Sequence, residues 1–115
     1  MQITILKSKI HRATITGADL NYEGSISIDK KLLEAANIMP YELVQVVNIN
    51  NGQRFETYAI DDEPGGGQIK LNGAAARLGH VGDTIIILCY ATMSSDEAKK
   101  FKPSIVKVDS KNTQI

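Results

Sequence analysis

The chain has 115 residues, 43% of them hydrophobic and 23% charged, enough for one compact domain, too few for two, and outside the disordered range. Thirteen basic and thirteen acidic residues cancel, so no global charge supports a nucleic-acid surface, and no apolar run approaches membrane-spanning length. The single cysteine, Cys89, cannot form an internal disulfide or a CxxC metal site, and the amino end is too short and polar for a signal peptide, so the chain reads as a cytoplasmic protein.

Residues 3–16 alternate and are rich in Ile and Thr, which predicts a strand. A period of two puts Lys7, Lys9 and His11 on one face and Ile10 with Arg12 on the other. Gly17 to Gly24 reads as a turn followed by a short extended piece containing Tyr22. Ser25–Ile28 is a second brief strand. Asp29 then caps a short helix over 30–36, whose apolar side is Leu32, Leu33 and Ala36; Asn37 ends it and Pro40 bars continuation.

Leu43 to Asn50 and Gln53 to Ile60 read as two strands around an Asn51-Gly52 turn, the strongest short hairpin signal. Arg54, Glu56 and Tyr58 share a face of the second strand. Thr57 points the other way unless a bulge re-aims it. Asp61–Gly67 reads as a hairpin loop; its glycines lack the strand-loop-helix frame and the following lysine of a phosphate loop.

Gln68–Leu71 is a short strand, Ala74-Ala75-Ala76-Arg77-Leu78 a helical turn stopped by Gly79, and Asp83–Ala91 the most apolar strand. Ser94 and Glu97 form a capping box for a last helix ending near Lys100. Ser104–Val108 is an edge strand, and the polar residues from Asp109 onward are expected to be loose. Helix, Asn37, Pro40, Glu42 and strand echo helix, Gly79, Gly82, Asp83 and strand, offset by about one residue. Two such units among short strands suit a small barrel with pseudo-twofold symmetry.

The residues that carry chemistry centre on Tyr22-Glu23-Gly24-Ser25. A Gly-Ser pair alone is most often a turn, and a lone strand His or Lys is most often solvated. His11 and His80 show no ligand spacing, so no metal site is legible. Phosphate-binding elements for pyridoxal phosphate are missing. In the apolar run around it, Cys89 reads as a small buried hydrophobe.

One scheme does use the parts. Attack of Ser25 Oγ on the Gly24 carbonyl turns the peptide into an ester; elimination across Ser25 leaves dehydroalanine, and water converts that to a pyruvoyl group and ammonia. Gly24 offers no side chain to obstruct attack and tolerates strained backbone angles. Thr57 or Asn72 offers a donor for the oxyanion. The resulting ketone can take an amine as a Schiff base. Arg54 presents a fork for a carboxylate, the backbone opening the Ala74–Ala76 turn a second anion seat, and Tyr58 a phenol to return a proton.

The ordered motifs KSKIHRA, YEGS, NGQRFETYAI, NGAAARL and VGDTIII resemble the aspartate 1-decarboxylase family of self-cleaving pyruvoyl enzymes, from about Lys7 to Met93. The resemblance implies a mainly β fold, a six-stranded double-psi β-barrel with short helices, assembled as a homotetramer with sites between subunits. It implies conversion of L-aspartate to β-alanine and carbon dioxide for pantothenate synthesis, with no metal and no pyridoxal phosphate. One domain, 1–115, would be cut into pieces 1–24 and 25–115.

By position, Gly24 and Ser25 resemble the cleavage pair, Arg54 the substrate-carboxylate clamp and Tyr58 the proton donor. Thr57 and Asn72 resemble groups that serve cleavage and orient the pyruvoyl. Lys9, His11 and Tyr22 resemble wall residues, and Gly73, Ala74, Ala75 and Ala76 the backbone anion seat. Meeting of neighbouring subunits at the site would let both faces of the Arg54–Tyr58 strand contribute. Whether a maturation factor assists the cut is open. The competing readings are a non-catalytic barrel used for binding or assembly, and a pyruvoyl decarboxylase of another amino acid.

Overall fold

The computed structural model describes residues 1–115. Its elements in chain order are β1 (Gln2–Thr14), β2 (Gly17–Asp19), β3 (Ser25–Asp29), α1 (Lys30–Ala36), β4 (Leu43–Asn48) and β5 (Arg54–Asp62). Then follow β6 (Ile69–Asn72), a 3-10 helix over Gly73–Arg77, β7 (Thr84–Ser94), α2 (Ser95–Lys100) and β8 (Ser104–Lys107).

The strand order is β2-β6-β3-β5-β4-β7-β1-β8. β1 and β2 are halves of one bent strand, joined through Ile15 and Thr16, whose N–H groups bond Asp83 and Ile69 on opposite neighbours. That joint closes the ring. With β1 and β2 counted once and β8 lying outside, parallel to Ser8–His11, eight strands reduce to the expected six-stranded barrel.

The pairings have internal twofold symmetry. β2 runs parallel to β6, and β5 runs parallel to β3, so the first strand of each half lies beside the second strand of the other. The equivalent strands β3 and β6 are antiparallel partners, as are β4 and β7. This interlock of two strand-crossing halves is the double-psi arrangement, and it explains the sequence echo.

Alternation builds the interior. Ile10, Ile15, Ile26, Ile28, Val44, Val46, Ala59, Ile69, Leu71, Ile85, Ile87 and Cys89 are buried inside the ring. Each large aliphatic side chain removed from water contributes about 1.5–3 kcal/mol. α1 adds Leu32, Leu33 and Ala36, as its spacing predicts; the Asp29 carboxylate caps it and Asn37 ends it in the left-handed region. At α2, Glu97 N–H donates to Ser94 Oγ, but the Glu97 carboxylate takes the Ser94 hydroxyl rather than its backbone N–H.

Several expectations change. Arg12 leaves the Ile10 face: its φ of 62° sits in a register shift between Ile10 and Ala13, which turns it to solvent and gives the core position to Ala13. The extended piece in 17–24 is Gly17–Asp19, held by β6, while Tyr22 lies in a turn. Residues 61–67 do not close a hairpin, because β3 sits between β5 and β6. The helical turn after β6 stops as expected, with Leu78 as its cap; at Gly79 a Cβ would lie 2.7 Å from an Ile15 methyl and 2.8 Å from a Leu71 methyl, both of which would have to shift.

The carboxyl end is anchored. Asn112 is buried; its amide donates to the carbonyls of Thr14 and Gly67 and accepts from Thr14 N–H. Val108 bridges Gln114, and Asp109 accepts from Lys111 and Thr113 N–H. No helix is long and apolar enough to cross a membrane.

Candidate functional site

Ser25 opens β3 directly across from Asn72, the last residue of β6. Ile26 and Ile28 face the interior, so Ser25 and Ser27 lie on the other face, where both are nonetheless buried. The Asn72 amide nitrogen reaches Ser25 Oγ and Ser27 Oγ, each at 2.9 Å. Ser25 Oγ donates in turn to the Glu23 carbonyl at 3.1 Å. The hydroxyl is therefore fixed from both sides beside the Gly24–Ser25 peptide.

Glycine is required next door. Gly73 has φ of +65°, and a Cβ there would lie 2.8 Å from Gly24 Cα and N and 2.9 Å from the Tyr22 carbonyl. Gly24 differs from expectation: it has no positive φ, and a Cβ on it would meet nothing within 4 Å. Strain and close approach belong to Gly73, whose lack of a side chain lets the 22–24 segment lie against the turn.

Tyr58 immediately precedes Ala59, the partner of Ile26, as Ser25 precedes Ile26. The parallel ladder thus brings Tyr58, midway along β5, level with Ser25 at the start of β3, and its ring lies 6.2 Å from that of Tyr41. Thr57 is adjacent in sequence but faces the interior with Phe55 and Ala59. The β4–β5 ladder runs without a shift from Leu43↔Tyr58 to Val47↔Arg54, so no bulge turns it toward Ser25.

Tyr22 is exposed and joins Asn72, Ser27, Lys70, Asp19 and Asp62 around an open cavity of about 270 Å³ beside the serine. The 3-10 turn over Gly73–Arg77 carries Ala74, Ala75 and Ala76. Its cap residue Asn72 makes no side-chain bond to it, so the first-turn N–H groups have no side-chain acceptor.

Three expected residues do not join this cluster within one chain. Arg54 starts β5, about 13 Å along the strand from Tyr58 at roughly 3.3 Å per residue. Lys9 pairs with Leu88, and in the strand order β7, β4 and β5 stand between β1 and the Ser25 strand. His11 is half-buried near Lys9; burial, then the Lys9, Arg12 and Lys107 cations, lower its pKa below the usual imidazole value. Its Nδ1 is buried without a partner.

Ser27 carries no sequence signal of involvement; its place beside Ser25 on the same strand face becomes informative only once Asn72 is seen to bridge them. No group of His, Cys, Asp and Glu is arranged to hold a metal ion. Cys89 is buried inside the barrel, and that burial pushes its thiol up to about 12, which leaves it protonated.

A model of the aspartate decarboxylase family matches residues 1–115. Three curated relatives bear the name aspartate 1-decarboxylase. The one from Thermoanaerobacter pseudethanolicus is 59% identical over 115 residues, 100% of this chain and 98% of that one. The Chloroherpeton thalassium protein is 62% identical over 97% of this chain and 82% of its own. That from Campylobacter jejuni (strain RM1221) is 61% identical over 98% and 89%. Among solved structures, the computationally designed msDPBB_sym2 protein aligns at TM-score 0.46 and 14% identity, over 74% of this chain and 96% of that one.

Proposed function

This chain belongs to the aspartate decarboxylase family, and from that premise we propose that it converts L-aspartate to β-alanine and carbon dioxide through a ketone cut from its own main chain at Gly24–Ser25, in service of pantothenate synthesis. The observation that carries the reading is the buried Ser25 hydroxyl, held between the Asn72 amide and the Glu23 carbonyl beside a glycine peptide.

In the cut, Ser25 Oγ bonds to the Gly24 carbonyl carbon and the peptide C–N bond breaks, with the hydroxyl proton passing to the Ser25 nitrogen. Loss of the Ser25 Cα proton then breaks the Cβ–O bond and releases Gly24 as a carboxylate. Water replaces the nitrogen of the dehydroalanine, giving pyruvoyl and ammonia. Asn72 holds the attacking oxygen and is the donor placed to stabilise the oxyanion, a contribution of about 3–4 kcal/mol for one well-placed donor.

The corner fits the product as well as the serine. A pyruvoyl group is smaller and planar, Asn72 remains a donor for its oxygen, and Gly73 leaves the space open. That group supplies the electron sink for departure of the α-carboxylate. Arg54 holds a substrate carboxylate, the Ala74–Ala76 backbone offers the second anion seat, Tyr22 lines the entrance, and the Tyr58 phenol returns the proton to the carbon that loses carbon dioxide.

Within one chain Arg54 lies four residues along β5 from Tyr58, and Lys9 and His11 stand on β1, separated from β3 in the strand order by β7, β4 and β5. They reach Ser25 from a neighbouring copy, which is the reason to infer a homotetramer with shared sites. Thr57 faces the interior of its own barrel, so a neighbouring copy does not bring it to the site. Exposed Leu43 and Tyr90 near these strands are suited to burial between copies.

Intact mass tests the cut: the wild-type chain splits into pieces of residues 1–24 and 25–115, while Ser25→Ala stays whole and inactive. A split Ser25→Ala chain would refute the scheme. Arg54→Ala should split normally and raise KM for aspartate about tenfold or more, the worth of a charge-assisted bond; an unchanged KM removes the clamp. Sedimentation that finds only monomer in fully active enzyme removes the shared site.

A further inference from the structure

The turn that leads into β4 carries an aromatic residue where its symmetry mate carries glycine. Gly82 precedes Asp83, the residue before β7, and has φ of +96°. Its N–H donates to Ile15 O at 2.8 Å, and Ile15 N–H donates back to Asp83 O. In the other half, Tyr41 N–H donates to Ala59 O at 2.6 Å and Ala59 N–H donates back to Glu42 O. The carboxylates match too: Asp83 accepts from His80 N–H, and Glu42 from Met39 N–H. The two turns are the same device, yet Tyr41 occupies the glycine position with φ of +73°.

That backbone region is unfavourable for a bulky L-residue and comfortable for Gly or Asn. The ring gains little from burial, since Tyr41 is 78% exposed. Its visible aromatic contact is Tyr58, with centroids 6.2 Å apart and planes tilted by 32°. Glu42 reinforces the turn, accepting both hydrogen bonds of the Lys7 ammonium at 2.9 and 2.7 Å. A strained aromatic held in a clamped turn against one functional side chain is strain kept for a purpose other than folding.

We propose that Tyr41 is a positioning residue for the decarboxylation step: its ring is braced over Tyr58 and restricts that phenol to the orientation from which it returns the proton. The inference rests on the assignment of Tyr58 as proton donor. It makes Tyr41 dispensable for self-cleavage and for folding, and important for turnover.

The test uses fully split enzyme, with rates normalised to the titrated keto group. Tyr41→Asn should lower kcat about tenfold, the scale of a misplaced proton donor, with KM for aspartate within about twofold and Tm unchanged or raised. Tyr41→Phe keeps the ring and should restore kcat. In a Tyr58→Phe background, Tyr41→Asn should have no further effect on kcat, because the ring acts through the missing hydroxyl. Unchanged kcat in Tyr41→Asn, equal losses in the Asn and Phe variants, or additive losses in the double variant would each overturn the proposal. Wild-type kcat in Tyr58→Phe alone would instead remove the proton-donor assignment beneath it.

Discussion

The barrel contains two corners related by its internal twofold axis, and they put the same parts to opposite uses. In one, Gly24-Ser25 opens β3 opposite Asn72, the cap residue of the 3-10 turn. In the other, Gly67-Gln68 precedes β6 opposite Asp29, the cap residue of α1, whose N–H donates to Gln68 O. Asp29 can only accept. Its carboxylate takes the N–H groups of Lys31, Gly65 and Gly67 at 2.8 to 3.1 Å, which caps the helix and pins the glycine loop together. Asn112 seals that corner from the chain's end.

Asn72 carries an amide, which can donate. It leaves its own helix uncapped and turns to Ser25 and Ser27. The helix that keeps its cap is a full α-turn with two buried leucines, whereas the one whose cap is diverted is a short 3-10 segment. A single change in hydrogen-bond polarity at the cap thus separates a corner that caps its helix from one whose cap residue holds two serine hydroxyls.

The largest contrast should come from Asn72→Ala. Losing the donor on Ser25 should slow chain splitting about 10²-fold, read by intact mass over time, and lower Tm only through the two buried serine hydroxyls left without it, since the helix had no cap to lose. A Tm loss matching that of a capping variant, with normal splitting, would erase the distinction between the corners.

Asp29→Ala should do the reverse. It removes a helix cap worth about 0.5–2 kcal/mol and strands the Gly65 and Gly67 N–H groups, so denaturant midpoints should fall while splitting continues at the wild-type rate. Slowed splitting at equal folded fraction would mean that the two corners are coupled.

The smallest effect is in acid. Burial raises the Asp29 pKa, but the N–H groups of Gly65, Gly67 and Lys31 and the Lys31 ammonium outweigh it and hold the carboxyl below its ordinary 3.8. A depressed carboxyl stabilises the fold fully above the unfolded value and loses that contribution as pH falls through the folded one. The stability gap between wild type and Asp29→Asn should therefore be full above about pH 4 and narrow on further acidification. A gap that stays constant there would show that the charge of Asp29 is immaterial to its corner.

Residue order alone fixed the local grammar. Asp29 before Lys30–Ala36, Asn51-Gly52 between two alternating runs, and the apolar 85–89 stretch each specify an element through interactions within a few residues, so those elements are legible. The motifs around Tyr22–Ser25, Arg54–Tyr58 and Asn72–Ala76 likewise carry the resemblance to the family. Tertiary contacts decided the rest, because they join residues with no sequence relation: Asn72 bridging Ser25 and Ser27, β3 inserting between β5 and β6, and polar Asn112 buried among the carbonyls of Thr14 and Gly67. A hydrogen bond's local partners can be read from spacing, but which distant donor meets which acceptor is set only when the barrel closes.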